Sequence, residues 1–461
     1  MGERMTSNLT KLSLAALSSV FIGMTGCGGG GGDVPFSPEE ESTEGTTTNQ
    51  GGLGILTQVA TALGDLQESP LAGVSIHGNY AYVGGLSVGY NTNANIGVRI
   101  VDLSNPAIPQ TVGRIPLRGL GTYANHSHGD AVVTSVSSGA FQGDVAMVLY
   151  GVPDGFAPAP YPAPHGFWDV TDPSNPTFLS GLNLGNAPHG NEGGDLGDKP
   201  YDAMAAAGNY FYTLYDKGTR TSPRDKSNAD TRLAVVDASD PRNPVVVGDW
   251  LDNSDVNNDV WLLGLSLNES GTRAYITGLT PFPYGDSSTH GYLYILDIQD
   301  PSQPTELGRY VFPVLGTPSS PSMARPTSDG TLVVLADHSW GLGSATTETC
   351  GILHILDTSN LGAISEISTF ALPQSSSPSE CTGDGNWVIA TDLAIRGNMV
   401  YSTWLRGGVR AIDISDPANP VEVGSYTNAS HLSDVALLGD DYVVATNVWD
   451  AGMVILRDDS P

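Results

Sequence analysis

Short apolar runs rich in Val, Ile, Leu and Tyr recur along most of the chain, punctuated by Gly, Asn, Asp and Pro. Val98–Val101, Leu233–Val236, Tyr292–Leu296, Ile352–Leu356 and Val409–Ile412 are each long enough for a strand. Each runs into the same phrase, first seen as Asp102-Leu-Ser-Asn105-Pro106 and starting again at Asp169, Asp237, Asp297, Asp357 and Asp413. A second proline follows at Pro109, Pro176, Pro244, Pro304 and Pro420. An Asp or Asn before Pro starts a tight turn, because the side chain caps backbone N–H groups and Pro fixes φ. Another strand-like run follows, as in Val245–Gly248 and Val421–Gly424. Earlier in each unit Gly78-Asn79, Gly208-Asn209, Gly397-Asn398 and Gly439-Asp440 mark a hairpin between two further runs.

One unit is therefore four antiparallel strands: a, a Gly-Asn or Gly-Asp hairpin, b, a variable loop, c, the Asp-Pro turn, and d. Four-stranded units repeated radially build a β-propeller. Strand a begins near residues 71, 130, 202, 260, 323, 391 and 433, which predicts seven blades. The last unit is incomplete, since residues 452–461 align without gaps to 408–417 and the chain stops where strand d should start. A lone strand-like run at 54–62 precedes the first unit and is expected to supply that strand and close the ring. The sequence thus predicts an all-β fold: a seven-bladed β-propeller of four-stranded antiparallel blades, closed by an N-terminal strand pairing with the last blade.

Composition narrows the function classes. Among 461 residues there are 57 Gly and 31 Pro, which argues against long helices and coiled coils. A net charge of −30 repels phosphate, so nucleic acid is not an expected partner.

The first residues read as an address. Arg4 and Lys11 precede the apolar run Leu12–Met24, which is too short to span a bilayer and suits a signal-peptide core. Thr25-Gly26-Cys27 then resembles the bacterial lipobox, with Met24 where Leu is more usual. The alternatives are an ordinary signal peptide or a short N-terminal helix. The expected layout is a signal peptide over 1–26, a lipidated Cys27 opening a Gly/Ser/Glu/Thr-rich tether over 27–52, and a propeller over 53–461. Gly28 is not the Asp that resembles an inner-membrane retention signal, so the expected place is the bacterial outer membrane, on its periplasmic or surface face. Cys350 and Cys381 are left over and, in an exported protein, are expected to form a disulfide; two free thiols are the alternative.

Three segments resemble the bacterial LVIVD-repeat proteins: 433–444, beginning Ser433-Asp-Val-Ala; 391–401, beginning Thr391-Asp-Leu-Ala; and 408–420, beginning Gly408-Val-Arg-Ala. The resemblance spans roughly 53–461, is most specific in blades 1, 3, 6 and 7, and implies an extracytoplasmic propeller. It implies no secure activity and hence no catalytic residues.

Candidate chemistry lies where strand a begins, at the central channel. Asp130, Asp202, Asp392 and Asp434 each stand just before an apolar residue there, and carboxylates around one mouth would attract Ca²⁺. The competing expectation is that each satisfies backbone N–H groups of its own blade. His126 and His128 lead into blade 2, and imidazoles beside carboxylates would suit Zn²⁺ or Cu²⁺ and a metal-dependent oxidoreductase or hydrolase. No Gly-x-Ser-x-Gly or P-loop is present. The loops 151–165, 216–231, 281–290 and 339–350 carry Tyr, Pro and Trp, and form an expected recognition surface. The leading expectation is a monomeric binding module anchored in the cell envelope, with an envelope protein or polysaccharide as partner.

Overall fold

The computed structural model describes residues 55–62, 71–85, 97–116, 129–150, 165–184, 204–216, 231–252, 260–279, 290–313, 321–337, 351–372, 388–429, 431–447 and 452–460. Asn49–Pro461 forms one unit, separate from Met1–Thr48. The signal, Cys27, the tether, His126, His128, Asp202, Cys350 and Cys381 lie outside the described residues, as does the side chain of Asp130.

The described residues hold twenty-eight strands. β1 (Leu56–Ala62) comes first. Blade 1 is β2 (Leu71–His77), β3 (Tyr80–Gly85), β4 (Gly97–Asp102) and β5 (Gln110–Pro116). Blade 2 is β6 (Gly129–Ser137), β7 (Gln142–Tyr150), β8 (His165–Asp169) and β9 (Thr177–Leu182). Blade 3 is β10 (Met204–Ala207), β11 (Tyr210–Asp216), β12 (Thr231–Asp237) and β13 (Val245–Trp250). Blade 4 is β14 (Trp261–Leu267), β15 (Arg273–Leu279), β16 (Gly291–Asp297) and β17 (Thr305–Val311). Blade 5 is β18 (Pro321–Pro326), β19 (Leu332–Asp337), β20 (Ile352–Asp357) and β21 (Ser365–Phe370). Blade 6 is β22 (Ala390–Arg396), β23 (Met399–Trp404), β24 (Gly408–Asp413) and β25 (Val421–Tyr426). Blade 7 is β26 (Leu432–Leu438), β27 (Tyr442–Asn447) and β28 (Gly452–Asp458), completed by β1. Each sheet is a four-stranded antiparallel meander, and the innermost strands neighbour one another round the ring, β26 meeting β2. The seven-bladed, strand-closed propeller read from the sequence is the fold.

Gly78, Gly208, Gly397 and Gly439 open the inner hairpins at φ of 57, 56, 57 and 55, a left-handed conformation that side chains resist. The residue after each third strand then bonds back to that turn. Leu103, Val170, Ala238, Ile298, Thr358, Ile414 and Asp458 donate their N–H to the carbonyls of Asn79, Asp144, Asn209, Thr272, Thr331, Asn398 and Asp441. Both tight turns of blades 1 to 6, and the inner hairpin of blade 7, therefore share one face of the ring. Every connection outside the described residues between β1 and β28 joins strand ends at the other face, the long-connection face.

The Asp phrase works as expected. Asp102, Asp237 and Asp413 accept N–H groups two residues on, from Ser104, Ser239 and Ser415, each at 2.8 Å. The second acid does the same, as when Asp300 accepts from Ser302 at 3.0 Å.

The fourth strands carry a feature the sequence reading passed over. Their pairing slips once in every blade from 1 to 6, leaving Val112, Leu179, Val247, Leu307, Ile367 and Val423 as bulge residues. Gly or Ser follows each bulge, and in blades 1 to 5 it lies against the Asp or Asn turn of the next blade. A Cβ on Gly248 would stand 2.2 Å from the Pro301 carbonyl oxygen, and one on Gly308 would stand 2.2 Å from that of Leu361. Ser180 and Ser368 instead donate their hydroxyls to the carbonyls of Pro241 and Pro417, at 2.7 and 2.6 Å. β1 reproduces the device, with Val59 as the bulge and Ala60 after it, so it replaces a fourth strand in detail.

The core lies between blades, because each sheet is covered on both faces. Tyr82, Val98 and Ile100 of blade 1 pack with Ala146, Val148 and Trp168 of blade 2, for example. Strands buried on both faces read as unbroken apolar runs, which is why the third strands were legible.

Candidate functional site

Five innermost strands begin with a slip in register, at the long-connection face: β2, β14, β18, β22 and β26. Asp392 and Asp434 follow the slip in β22 and β26, and both are buried, at 3% and 5% exposure. Asp434 accepts the N–H of Val74 at 2.8 Å through one oxygen and that of its neighbour Val435 at 2.7 Å through the other. Asp392 accepts the N–H of Val435 at 3.0 Å. Its second oxygen lies 3.7 Å from the Arg325 guanidinium. The carboxylates thus satisfy backbone groups, as the competing expectation held, but the groups belong largely to the next blade.

This reach is general. Ser75 donates to the carbonyl of Ala131 at 2.6 Å, Thr134 to that of Gly208 at 2.9 Å, and Thr231 to that of Val260 at 2.7 Å. Ser266 donates to the carbonyl of Ala324 at 2.6 Å, and Arg325 to that of Leu393 at 3.1 Å. With Asp392 and Asp434, every blade hands at least one polar side chain to the backbone of the next. Blades 1 and 4 have Gly73 and Gly264 where blades 6 and 7 have Asp, and use Ser75 and Ser266 two residues later. Blades 6 and 7 have Ala394 and Ala436 at that later position. Asp130 aligns with Asp392 and Asp434, since the carbonyl of its neighbour Ala131 is bonded as that of Ala324 is.

Hydroxyls support the same mouth. Thr277 accepts the N–H of Gly264 at 2.8 Å and donates to the carbonyl of Ser322 at 3.1 Å. The oxygens Asp392 Oδ1, Ser433 Oγ and Thr446 Oγ1 are buried with no hydrogen-bond partner among the described residues. Among the described residues, no three His, Cys, Asp or Glu side chains form a group that could hold a metal ion. His431, ahead of β26, sits at φ 64.

A cluster of titratable groups lies elsewhere, in blade 5 against blade 4. His354 of β20 meets Glu366 through Nδ1 at 2.6 Å and Asp337 through Nε2 at 3.3 Å. The Phe312 ring packs edge-on at 4.8 Å. Burial works against the imidazolium, but the two carboxylates outweigh it and raise the His354 pKa to about 9. Three polar residues inside apolar strands were the available signal. His165 of β8 is the opposite case: fully buried, 3.2 Å from the Thr213 hydroxyl, and pushed down to about 4 by desolvation.

The sequence model of the LVIVD repeat matches residues 72–116, 228–252, 288–311 and 389–428. These fall in blades 1, 3, 4 and 6, so the chain carries LVIVD repeats. Blade 7 is outside the matched residues; its third strand has Arg457 and Asp458 where blade 6 has Asp413 and Ile414. No curated protein matches the chain. Among solved structures, the β-propeller domain of Myceliophteria thermophila Cps50 (Swd1) is 11% identical with a TM-score of 0.46, covering 86% of this chain and 98% of that one. The computationally designed Ika8 protein is 12% identical with a TM-score of 0.44, covering 87% of this chain and 99% of that one.

Proposed function

We propose that this LVIVD-repeat propeller is a binding module held at a bacterial outer membrane through an acylated Cys27, and that it meets an envelope polysaccharide or protein at its long-connection face. The observation that carries the reading is the one-sided distribution of connections. Tight, hydrogen-bonded turns occupy one face, and the longer connections start and end at the other. Variable segments on a rigid ring are the usual place for recognition. Their sequences support this, with Tyr123, Tyr161, Tyr284 and Trp340 among them. Aromatic rings offer flat apolar faces to sugar rings or side chains at low entropic cost.

The test uses purified protein from residue 53 onward against a panel of envelope polysaccharides and peptidoglycan fragments, read by calorimetry. Binding is expected to weaken at least tenfold in the Tyr284→Ala, Trp340→Ala double variant with melting unchanged, a loss of about 1.4 kcal/mol or more. Binding that survives every aromatic substitution at this face would refute the assignment. Labelled palmitate is expected to enter the wild-type chain and not Cys27→Ala.

A further inference from the structure

Tyr294 sits within a row of aromatic rings. The Tyr292 ring stacks on it, with centroids 5.6 Å apart and planes 9° from parallel. Trp250, which ends β13, meets it edge-on at 5.2 Å, and the His290 ring lies 6.5 Å from that of Tyr292. Tyr294 is fully buried and Trp250 nearly so, while Tyr292 is half-buried where β16 begins, at the long-connection end of blade 4. The row therefore runs from the packing between blades 3 and 4 toward that surface.

The Tyr294 hydroxyl has a proton acceptor in place, since it donates to Asp252 Oδ2 at 2.9 Å. Arg309 holds the same carboxylate with two N–H groups, at 3.1 and 3.2 Å, and donates through Nε to Glu306 at 2.6 Å. Its guanidinium lies 5.1 Å from the centre of the Tyr294 ring. Burial, and then the charge of Asp252, hold the phenol far above its usual range, so the ring keeps its proton at ordinary pH. The guanidinium opposes a positive charge on the ring. An electron therefore leaves Tyr294 together with the hydroxyl proton, and Asp252 is placed to accept that proton. Once Asp252 is protonated, Arg309 is still matched by Glu306.

We infer that Tyr294 is a redox-active tyrosine with Asp252 as its proton acceptor, serving small one-electron oxidants, such as organic peroxyl radicals, that reach the long-connection face. One electron passes from Tyr294 through the Tyr292 ring to the oxidant. The O–H bond of Tyr294 breaks, and its proton moves to Asp252 Oδ2. The products are a neutral tyrosyl radical, a protonated Asp252 and a peroxide anion. Burying a tyrosine does not by itself call for this arrangement. Tyr401 also donates to a carboxylate, that of Asp458, with the Arg396 guanidinium 5.5 Å from its ring centre. Among the described residues, however, no ring stacks on Tyr401 or meets it edge-on, so it has the acceptor without the row.

The test uses the full-length protein with tris(bipyridyl)ruthenium, photo-oxidised in the presence of persulfate, as the one-electron probe. Samples are frozen after the flash and read by electron paramagnetic resonance. A long-lived tyrosyl signal is expected in wild type and in Tyr401→Phe, and its loss in Tyr294→Phe and in Asp252→Asn. Tyr292→Phe should slow its appearance, because the electron then lacks its route to the surface. Replacing Tyr294 by encoded difluorotyrosine keeps the hydroxyl and the packing, and should change the hyperfine pattern of the signal even if Tyr294→Phe fails to fold. No long-lived signal in wild type, a signal that survives Tyr294→Phe in a variant that melts like wild type, or a pattern that the fluorinated ring leaves unchanged overturns the inference.

Discussion

Asp434 in the last sheet accepts the main-chain N–H of Val74 in the first, at 2.8 Å and across 360 residues of chain. One carboxylate therefore seals the inner circumference of the ring, while β1 seals the outer. Replacing Asp434 with Ala leaves the N–H groups of Val74 and Val435 without this acceptor, at a cost of about 1–3 kcal/mol. Asp434→Asn keeps one acceptor oxygen and should lose less. Urea unfolding measures both. The losses are expected to be equal in Ca²⁺ and in EDTA, because these bonds are to backbone; a loss seen only with Ca²⁺ would place a cation at the channel mouth.

The fourth-strand glycines make a sharper prediction. A Cβ at Gly308 would meet the Leu361 carbonyl oxygen at 2.2 Å, and nothing flexible is there to move. Gly308→Ala should destabilise by about 1–3 kcal/mol, as overpacking does. Gly139→Ala is the control, with nothing within 4 Å of the added methyl. Calorimetric melting that shifts equally in the two variants would reject this packing.

Legibility in the sequence followed repetition. The Asp-Pro phrase, the Gly-Asn hairpins and the shortfall after Asp458 repeat or fail to repeat in ways a single chain displays, so blade number and closure could be read. The inter-blade contacts could not, because the blades use different side chains for them: Asp392 and Asp434 in blades 6 and 7, Ser75 and Ser266 two residues on in blades 1 and 4, and Thr134, Thr231 and Arg325 in the rest. Four aspartates looked like one ring of ligands, whereas the two whose side chains are described, Asp392 and Asp434, have backbone partners. The Gly or Ser after each bulge was visible as letters, but its role depends on the neighbouring blade's turn, which no local pattern encodes.

Two histidines set the pH range of stability from opposite sides. The His354 pKa is raised from 6.5 to about 9, so its contribution is complete below 6.5 and is lost as pH climbs through about 9. The His165 pKa is lowered from 6.5 to about 4, so the neutral form it requires contributes above 6.5 and is lost as pH falls through about 4. Denaturant stability should peak between these limbs. His354→Gln should flatten the alkaline limb, worth roughly 1–3 kcal/mol, and lower stability at neutral pH by leaving Asp337 and Glu366 without their shared cation. His165→Gln should flatten the acid limb only. An alkaline limb unchanged in His354→Gln would assign it to other groups.

The last prediction concerns the seam itself. β1 supplies the fourth strand of blade 7 with the bulge at Val59, and Tyr426 donates its hydroxyl to Gln58 at 3.0 Å from blade 6. The end of β28 is tied to the same neighbour, where Arg396 meets Asp458 at 3.1 Å and the Tyr401 hydroxyl donates to that carboxylate. Removing residues up to Ala62 uncovers the backbone edge of β28 and part of the apolar layer holding Leu56 and Leu456. An open edge beside exposed apolar surface promotes association between chains. The truncated protein should therefore melt lower and sediment with concentration-dependent mass. A peptide of residues 53–64 added in trans should restore both properties, while a peptide of the same composition in scrambled order should not. A truncated chain that stays monomeric and melts like the full protein would mean that the inner clasps, with Asp434 among them, close the ring without the strand.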